Sequence, residues 1–234
     1  MRQLDLNFTR DAQRYDAWYS TPWGCHAETE ELRLLLEMAR PRRGERALDI
    51  GCGTGRMLLR MLTLGVDAHG VEPAPDMRAV AQWLLEVTGQ DPARVVAARA
   101  EGLPFEDRSF DLVSAITVLE FVDDLPRALR EMARVCRGRI FLAAINARSV
   151  YGAAILRGEA GETLSRARLQ TPDELEALVA RHVRPWFRET RTALIGGRTD
   201  DPLELAVQRR VDLRLRDARC RLGGVIALVA EVQT

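Results

Sequence analysis

Residues Ala47-Leu48-Asp49-Ile50-Gly51-Cys52-Gly53-Thr54-Gly55 join an apolar run to a glycine-rich turn, and Arg56–Leu64 reads as the helix that follows. Glycine leaves the backbone open to close approach and tolerates positive φ. A helix start adds unpaired N–H groups and partial positive charge. Such a turn can cradle a small anionic or zwitterionic cofactor, the plain alternative being a tight turn that binds nothing. The spacing is G-x-G-x-G, with Arg56 where a dinucleotide-binding turn would carry its third glycine. No Gly-Lys-Ser/Thr follows, and none of the 34 basic residues is a lysine, which excludes a Walker loop.

Further candidates follow in order. Glu72 closes the second predicted strand about 20 residues on, where an acid can accept hydrogen bonds from ribose hydroxyls. Ala100-Glu101-Gly102-Leu103-Pro104-Phe105 could wall a flat ring. Phe110-Asp111-Leu112-Val113 opens strand four, and Leu119-Glu120-Phe121-Val122-Asp123-Asp124 follows it. Each has a blander reading: Glu72 as a solvated strand end, Cys52 as a small turn residue, Glu120 and Asp123-Asp124 as helix caps.

The elements that must position these groups are legible from periodicity. Helices are predicted over 28–39, 56–64, 75–87, 124–136, 171–181 and 203–215. Strands are predicted over 46–50, 66–71, 94–98, 110–116, 139–146, 186–194 and 224–232. Strands alternating with helices imply right-handed crossovers and a largely parallel sheet. Gly224–Val232 is apolar almost throughout, as expected of a strand buried on both faces inside the sheet.

Composition narrows the class. A chain of 234 residues with 47% hydrophobic and 29% charged residues suits one α/β domain with a small cap. Its 34 acidic residues balance the 34 basic ones, which speaks against a nucleic-acid or anionic membrane partner. No secretory h-region, spanning segment, C-x-x-C or Cys/His metal pattern is present, so a cytoplasmic location without a metal is expected.

Together the motifs LD-x-GCGTG, the acid at Glu72, A-E-x-LPF and FDLV resemble the class I S-adenosylmethionine-dependent methyltransferases, in their broad small-molecule branch. So do Tyr15-Asp16-Ala17-Trp18, Thr21-Pro22-Trp23-Gly24 and Asn146-Ala147-Arg148-Ser149. The resemblance implies a Rossmann-like α/β fold: a seven-stranded, mostly parallel sheet with helices on both faces, the last strand antiparallel and internal. Residues 1–45 would form a cap and lead-in helix, 46–234 the methyltransferase domain, and about 147–170 a lid-like insertion.

The implied cofactor is S-adenosyl-L-methionine. Gly51, Cys52 and Gly53 would face its methionine part, Glu72 its ribose, Pro73 and Met77 the adenine face, Ala100 and Glu101 the adenine edge. Ile116 would offer its carbonyl to the amino group, and Tyr15 would close over the carboxylate. Arg99 departs from the Asp or Asn usual before the Ala-Glu pair, so that adenine contact is open. The acceptor is expected to be a small molecule, with Tyr19, Trp23, Asn146 and Tyr151 facing it. Ser114-Ala115-Ile116-Thr117 stands where base and glutamine methyltransferases carry Asn/Asp-Pro-Pro-Tyr. If the nucleophile must lose a proton, His26, Glu120 and Asp123 are the candidate bases. Two alternatives are a silent cofactor-binding regulator and a nicotinamide-dependent oxidoreductase.

Overall fold

The sheet is built around apolar central strands that carry little exposed surface. A computed structural model describes residues 10–159, 164–215 and 220–232. Its strands are β1 (Arg46–Ile50), β2 (Asp67–Val71), β3 (Val95–Val96), β4 (Phe110–Ile116), β5 (Cys136–Ile145), β6 (Phe187–Ala193) and β7 (Val225–Glu231). They form one seven-stranded sheet in the order β3-β2-β1-β4-β5-β7-β6. β1 pairs in parallel with β2 and β4, and β4 with β5. β7 lies inside the sheet between β5 and β6, as its apolar run predicted, and runs antiparallel to both, as the family resemblance implied.

Helices cover both faces. They are α1 (Arg10–Trp18), α2 (Pro22–Leu34), α3 (Arg56–Thr63), α4 (Pro75–Val87), α5 (Leu125–Val135), α6 (Val150–Leu156), α7 (Pro172–His182) and α8 (Pro202–Leu215). One core gathers Trp23, Leu34, Leu35, Leu58, Met61 and Leu85 against Phe141 and Ala227. The other gathers Leu129, Met132, Leu175 and Val179 against Ile50, Val113 and Leu228. Alternate residues of one strand thus feed opposite cores, as the pleat requires.

Three elements depart from expectation. α2 starts at Pro22, not Glu28, because the Thr21 hydroxyl accepts the Gly24 N–H at 3.0 Å with proline at the first helical position. Its last turn, Leu35–Ala39, widens to a π-turn and stops at Arg40 in the left-handed conformation (φ 48°). β3 shrinks to two residues because only Gly70 and Val71 of β2 are in register with it. The expected lid segment contains α6; residues 160–163 of it, like residues 1–9 of the expected cap, lie outside the described residues.

Candidate functional site

β1 ends in a turn whose three glycines all have positive φ: 65° at Gly51, 56° at Gly53 and 85° at Gly55. A Cβ on Gly51 would lie 2.2 Å from the Val118 side chain, so φ and space both demand glycine there. Gly55 is the N-cap of α3, and a Cβ there would sit 3.0 Å from Ala81 of α4. The close helix packing that a third dinucleotide-type glycine would serve is thus supplied one residue earlier.

Glu72, at the end of β2, is fastened to this turn. One carboxylate oxygen accepts the Gly53 N–H at 3.0 Å, the other the Ala74 N–H at 2.8 Å. Burial raises its pKa, and the two amides work against that rise. Each oxygen keeps a lone pair for a further donor.

The N-terminal helices close over the turn. The Tyr15 ring lies 3.5 Å from where a Gly53 Cβ would be, and its hydroxyl is 2.9 Å from that of Tyr19. Burial pushes the Tyr15 phenol up to about 12. Thr54 donates to Asp16 of α1 at 3.0 Å. Arg56 grips Glu28 of α2 with two bonds of 2.9 Å and lies over the Tyr19 ring at 4.9 Å.

Under this cover is a cleft, open to solvent at its mouth. Tyr15, Tyr19, Gly51, Cys52 and Ile116, all expected at the site, line it. So do Glu31, Asp49 and Thr117, which sequence reasoning missed. Asp49 accepts from the Ser114 hydroxyl at 2.7 Å, and burial pushes its carboxyl up to about 7. Thr117 has φ 50°, an uncommon conformation for a β-branched residue and of the kind found where strain serves a site. Glu31 carries a readable signal. It falls on the buried stripe Ala27, Leu34, Leu35 and Met38 of α2, where a carboxylate has no packing reason to be.

The other expected residues divide. Ala100 is buried, Pro73 is exposed, and Met77 is half-buried on the first turns of α4. Glu101 accepts from the Asp123 and Asp124 N–H groups at 2.9 and 3.3 Å. Arg99 bridges Glu101 and Asp123 at the surface, so it takes no place in the cleft lining. Tyr151 is half-buried, with its ring 6.3 Å from that of the buried Trp23. The Asn146 side chain is consumed by the backbone: its amide donates to the Arg221 and Gly223 carbonyls at 2.9 Å and its oxygen accepts the Arg148 N–H.

Of the candidate bases, His26 is locked against Asp212 at 3.2 Å in the interior. Asp123 is exposed and paired with Arg99. Glu120 is buried, and its carboxylate accepts the Ile145 N–H through one oxygen only.

S-adenosylmethionine fits this chemistry. The glycine turn offers the cleft a backbone cradle, and Glu72 beside that turn is a fastened carboxylate with free lone pairs for hydroxyls. The acids of the lining suit a molecule with sulfonium and ammonium charges. The comparisons point the same way. Residues 48–142 match the methyltransferase domain family. The chain is 35% identical over 118 residues to the uncharacterized methyltransferase YcgJ of Bacillus subtilis, covering 50% of this chain and 47% of the relative. It is 34% identical over 179 residues to the malonyl-[acyl-carrier protein] O-methyltransferase of Halorhodospira halophila, covering 72% and 55%. The chain thus spans about half the length of these curated relatives. A solved Thermotoga maritima S-adenosylmethionine-dependent methyltransferase, described as a possible histamine N-methyltransferase, shares the fold. Its TM-score is 0.73 at 22% identity, over 96% of this chain and 97% of that one. Residues 48–142 thus match a methyltransferase domain, and the chain as a whole takes the fold of a solved S-adenosylmethionine-dependent methyltransferase.

Proposed function

We propose that the protein transfers the methyl group of S-adenosylmethionine to a small-molecule acceptor. The observation that carries this reading is the convergence of the glycine turn and the strained Thr117 on one cleft beneath Tyr15, with Glu72 fastened to the back of that turn. When bound, the cofactor supplies an already activated methyl group on a sulfonium. The chain's own task is then alignment and exclusion of water. Holding donor and acceptor in line can supply on the order of 7–11 kcal/mol of the barrier.

In this reading Glu72 accepts from the ribose hydroxyls, while Pro73 and Met77 meet the adenine face and Ala100 and Glu101 its edge. Gly51, Cys52 and Gly53 lie along the methionine part. Asp49 and the Ile116 carbonyl receive its ammonium, and Tyr15 covers its carboxylate end. Residues 1–45 act as cap, about 147–170 as lid, and Tyr19 and Tyr151 wall the acceptor. Trp23 supports Tyr151 from behind. Asn146 holds the lid's root to the loop before β7. The relatives' names span oxygen, nitrogen and carbon acceptors, and the scattered cysteines and zero net charge do not recommend arsenic or nucleic acid here.

Calorimetry with S-adenosylmethionine, S-adenosylhomocysteine and NAD tests the donor site. We expect both sulfur compounds to bind and NAD not to; preference for NAD overturns the reading. Glu72→Ala is expected to weaken S-adenosylmethionine at least tenfold, since a bond to a charged acceptor is worth about 1.5–3 kcal/mol. An unchanged affinity removes Glu72 from the site.

A further inference from the structure

One polar cluster is left with unmet demands. Glu31 lines the cleft, is 5% exposed, and accepts no hydrogen bond from the described residues. Glu120 is 1% exposed, and one of its oxygens is buried with no partner. The two lie close enough for the charge on Glu120 to raise the Glu31 pKa. Burial is the larger cause for Glu31 and the main one for Glu120.

Tyr15 and Tyr19 line the same cleft as Glu31, and the Tyr151 hydroxyl feels the charges of both acids. The nearby cations are engaged or outside. Arg56 is held by Glu28, and Arg198, which acts on Tyr151, is exposed. Among the described residues no group of His, Cys, Asp and Glu could hold a metal ion, so a metal does not explain the acids.

Leaving a buried carboxylate without a donor costs several kcal/mol, and evolution keeps such groups where a partner arrives from outside. A partner that satisfies two acids among aromatic rings carries positive charge and N–H donors. We propose that the acceptor is a small organic amine whose ammonium is held by Glu31, with Glu120 and Tyr151 completing the subsite. This rests on the methyltransferase reading of the same cleft and narrows its substrate class.

The chemistry balances. The bound ammonium gives one proton to the Glu31 carboxylate, which frees the nitrogen lone pair. That pair forms the new N–C bond as the C–S bond breaks, and the sulfur keeps the bonding electrons as a neutral thioether. The positive charge moves to the methylated nitrogen, and Glu31 passes its proton to water. A base whose pKa stands near neutrality suits this exchange.

The test is calorimetry on the full chain saturated with S-adenosylhomocysteine. The probes are 2-phenylethylamine, tryptamine and 1,4-diaminobutane, against the matched neutral alcohols of the first two. We expect at least one amine to bind, and any aryl amine that does so to bind at least tenfold more tightly than its alcohol. Glu31→Gln should abolish that binding or preference and change S-adenosylhomocysteine affinity less than twofold. Glu120→Gln, which leaves Glu31 in the cleft, should weaken the amine by a smaller factor. Binding of alcohols as tight as amines, or of no amine at all, overturns the proposal while leaving the donor site standing. A Glu31→Gln loss confined to S-adenosylmethionine assigns that acid to the donor and also overturns it. Failure to bind either sulfur compound instead sinks the methyltransferase reading itself.

Discussion

In the proposed reading, the donor side and the acceptor side of the site are built on opposite terms. On the donor side the protein satisfies its own polar groups: Glu72 holds two backbone amides and Asp49 a serine hydroxyl. On the acceptor side Glu31 and one oxygen of Glu120 receive nothing from the described chain. The first side is preorganised, so it can grip a ligand without rearranging. The second holds buried acids whose charged form the described protein does little to stabilise. The difference separates a rigid half fixed by backbone geometry from a half whose stability depends on occupancy.

The contrast can be broken most forcefully at the glycine turn. Gly51→Ala places a Cβ against Val118 at a left-handed φ, and strain plus overpacking should cost about 2–4 kcal/mol. Urea unfolding without ligand reads that cost directly. A loss under 1 kcal/mol would mean that the turn is soft and the donor side no more rigid than its counterpart.

Next comes pH. Asp49, Glu31 and Glu120 have folded pKa values above those of ordinary carboxylates. Between the unfolded and folded values the native state therefore binds more protons than the unfolded chain. Their stabilising contribution is whole below the unfolded values of about 4. It is lost as pH rises through the folded ones, near 7 for Asp49. Glu31→Gln removes part of this loss, so its Tm should exceed that of the parent at pH 8 and match it near pH 4.5. Each kcal/mol relieved is worth roughly 2–4 °C in a domain of this size. A Glu31→Gln Tm below the parent at pH 8 would show that Glu31 is satisfied in the free protein.

The smallest effect is expected at Thr117. Glycine there relieves an unfavourable φ, and against that its unfolded chain is more flexible, leaving a net gain of at most about 1 kcal/mol. Chemical denaturation of Thr117→Gly measures it. A clear destabilisation would mean that the Thr117 side chain, not its backbone, matters to the cleft.

How far the sequence could be read follows from where its signals are local. β1, β4, β5 and β7 were legible because each is an apolar run that needs no knowledge of its neighbours. The glycine turn and Glu72 were legible because backbone geometry restricts the residue types allowed. The brevity of β3 was not, since its length depends on register with β2. Nor was the role of Asn146, whose bonds run to residues 221 and 223, far along the chain. Glu31 lay in plain view on an apolar stripe, but an expected helix start at Glu28 made it look like an ordinary acid of a first turn. The true start at Pro22, set by the Thr21 cap, moves it mid-helix and inward.

The internal antiparallel β7 has a consequence for biosynthesis. Among the described residues β6 pairs with β7 alone, and one edge of β5 waits for the same strand. As the ribosome delivers the chain, that side of the sheet stays unzipped until residue 231 emerges, with an apolar strand edge open to wrong partners. The residues lining the cleft all lie between 15 and 117, so they are synthesised well before the sheet can close. The nascent protein thus has its donor-cleft residues in hand before it has a finished domain, and early cofactor binding could act as a folding aid.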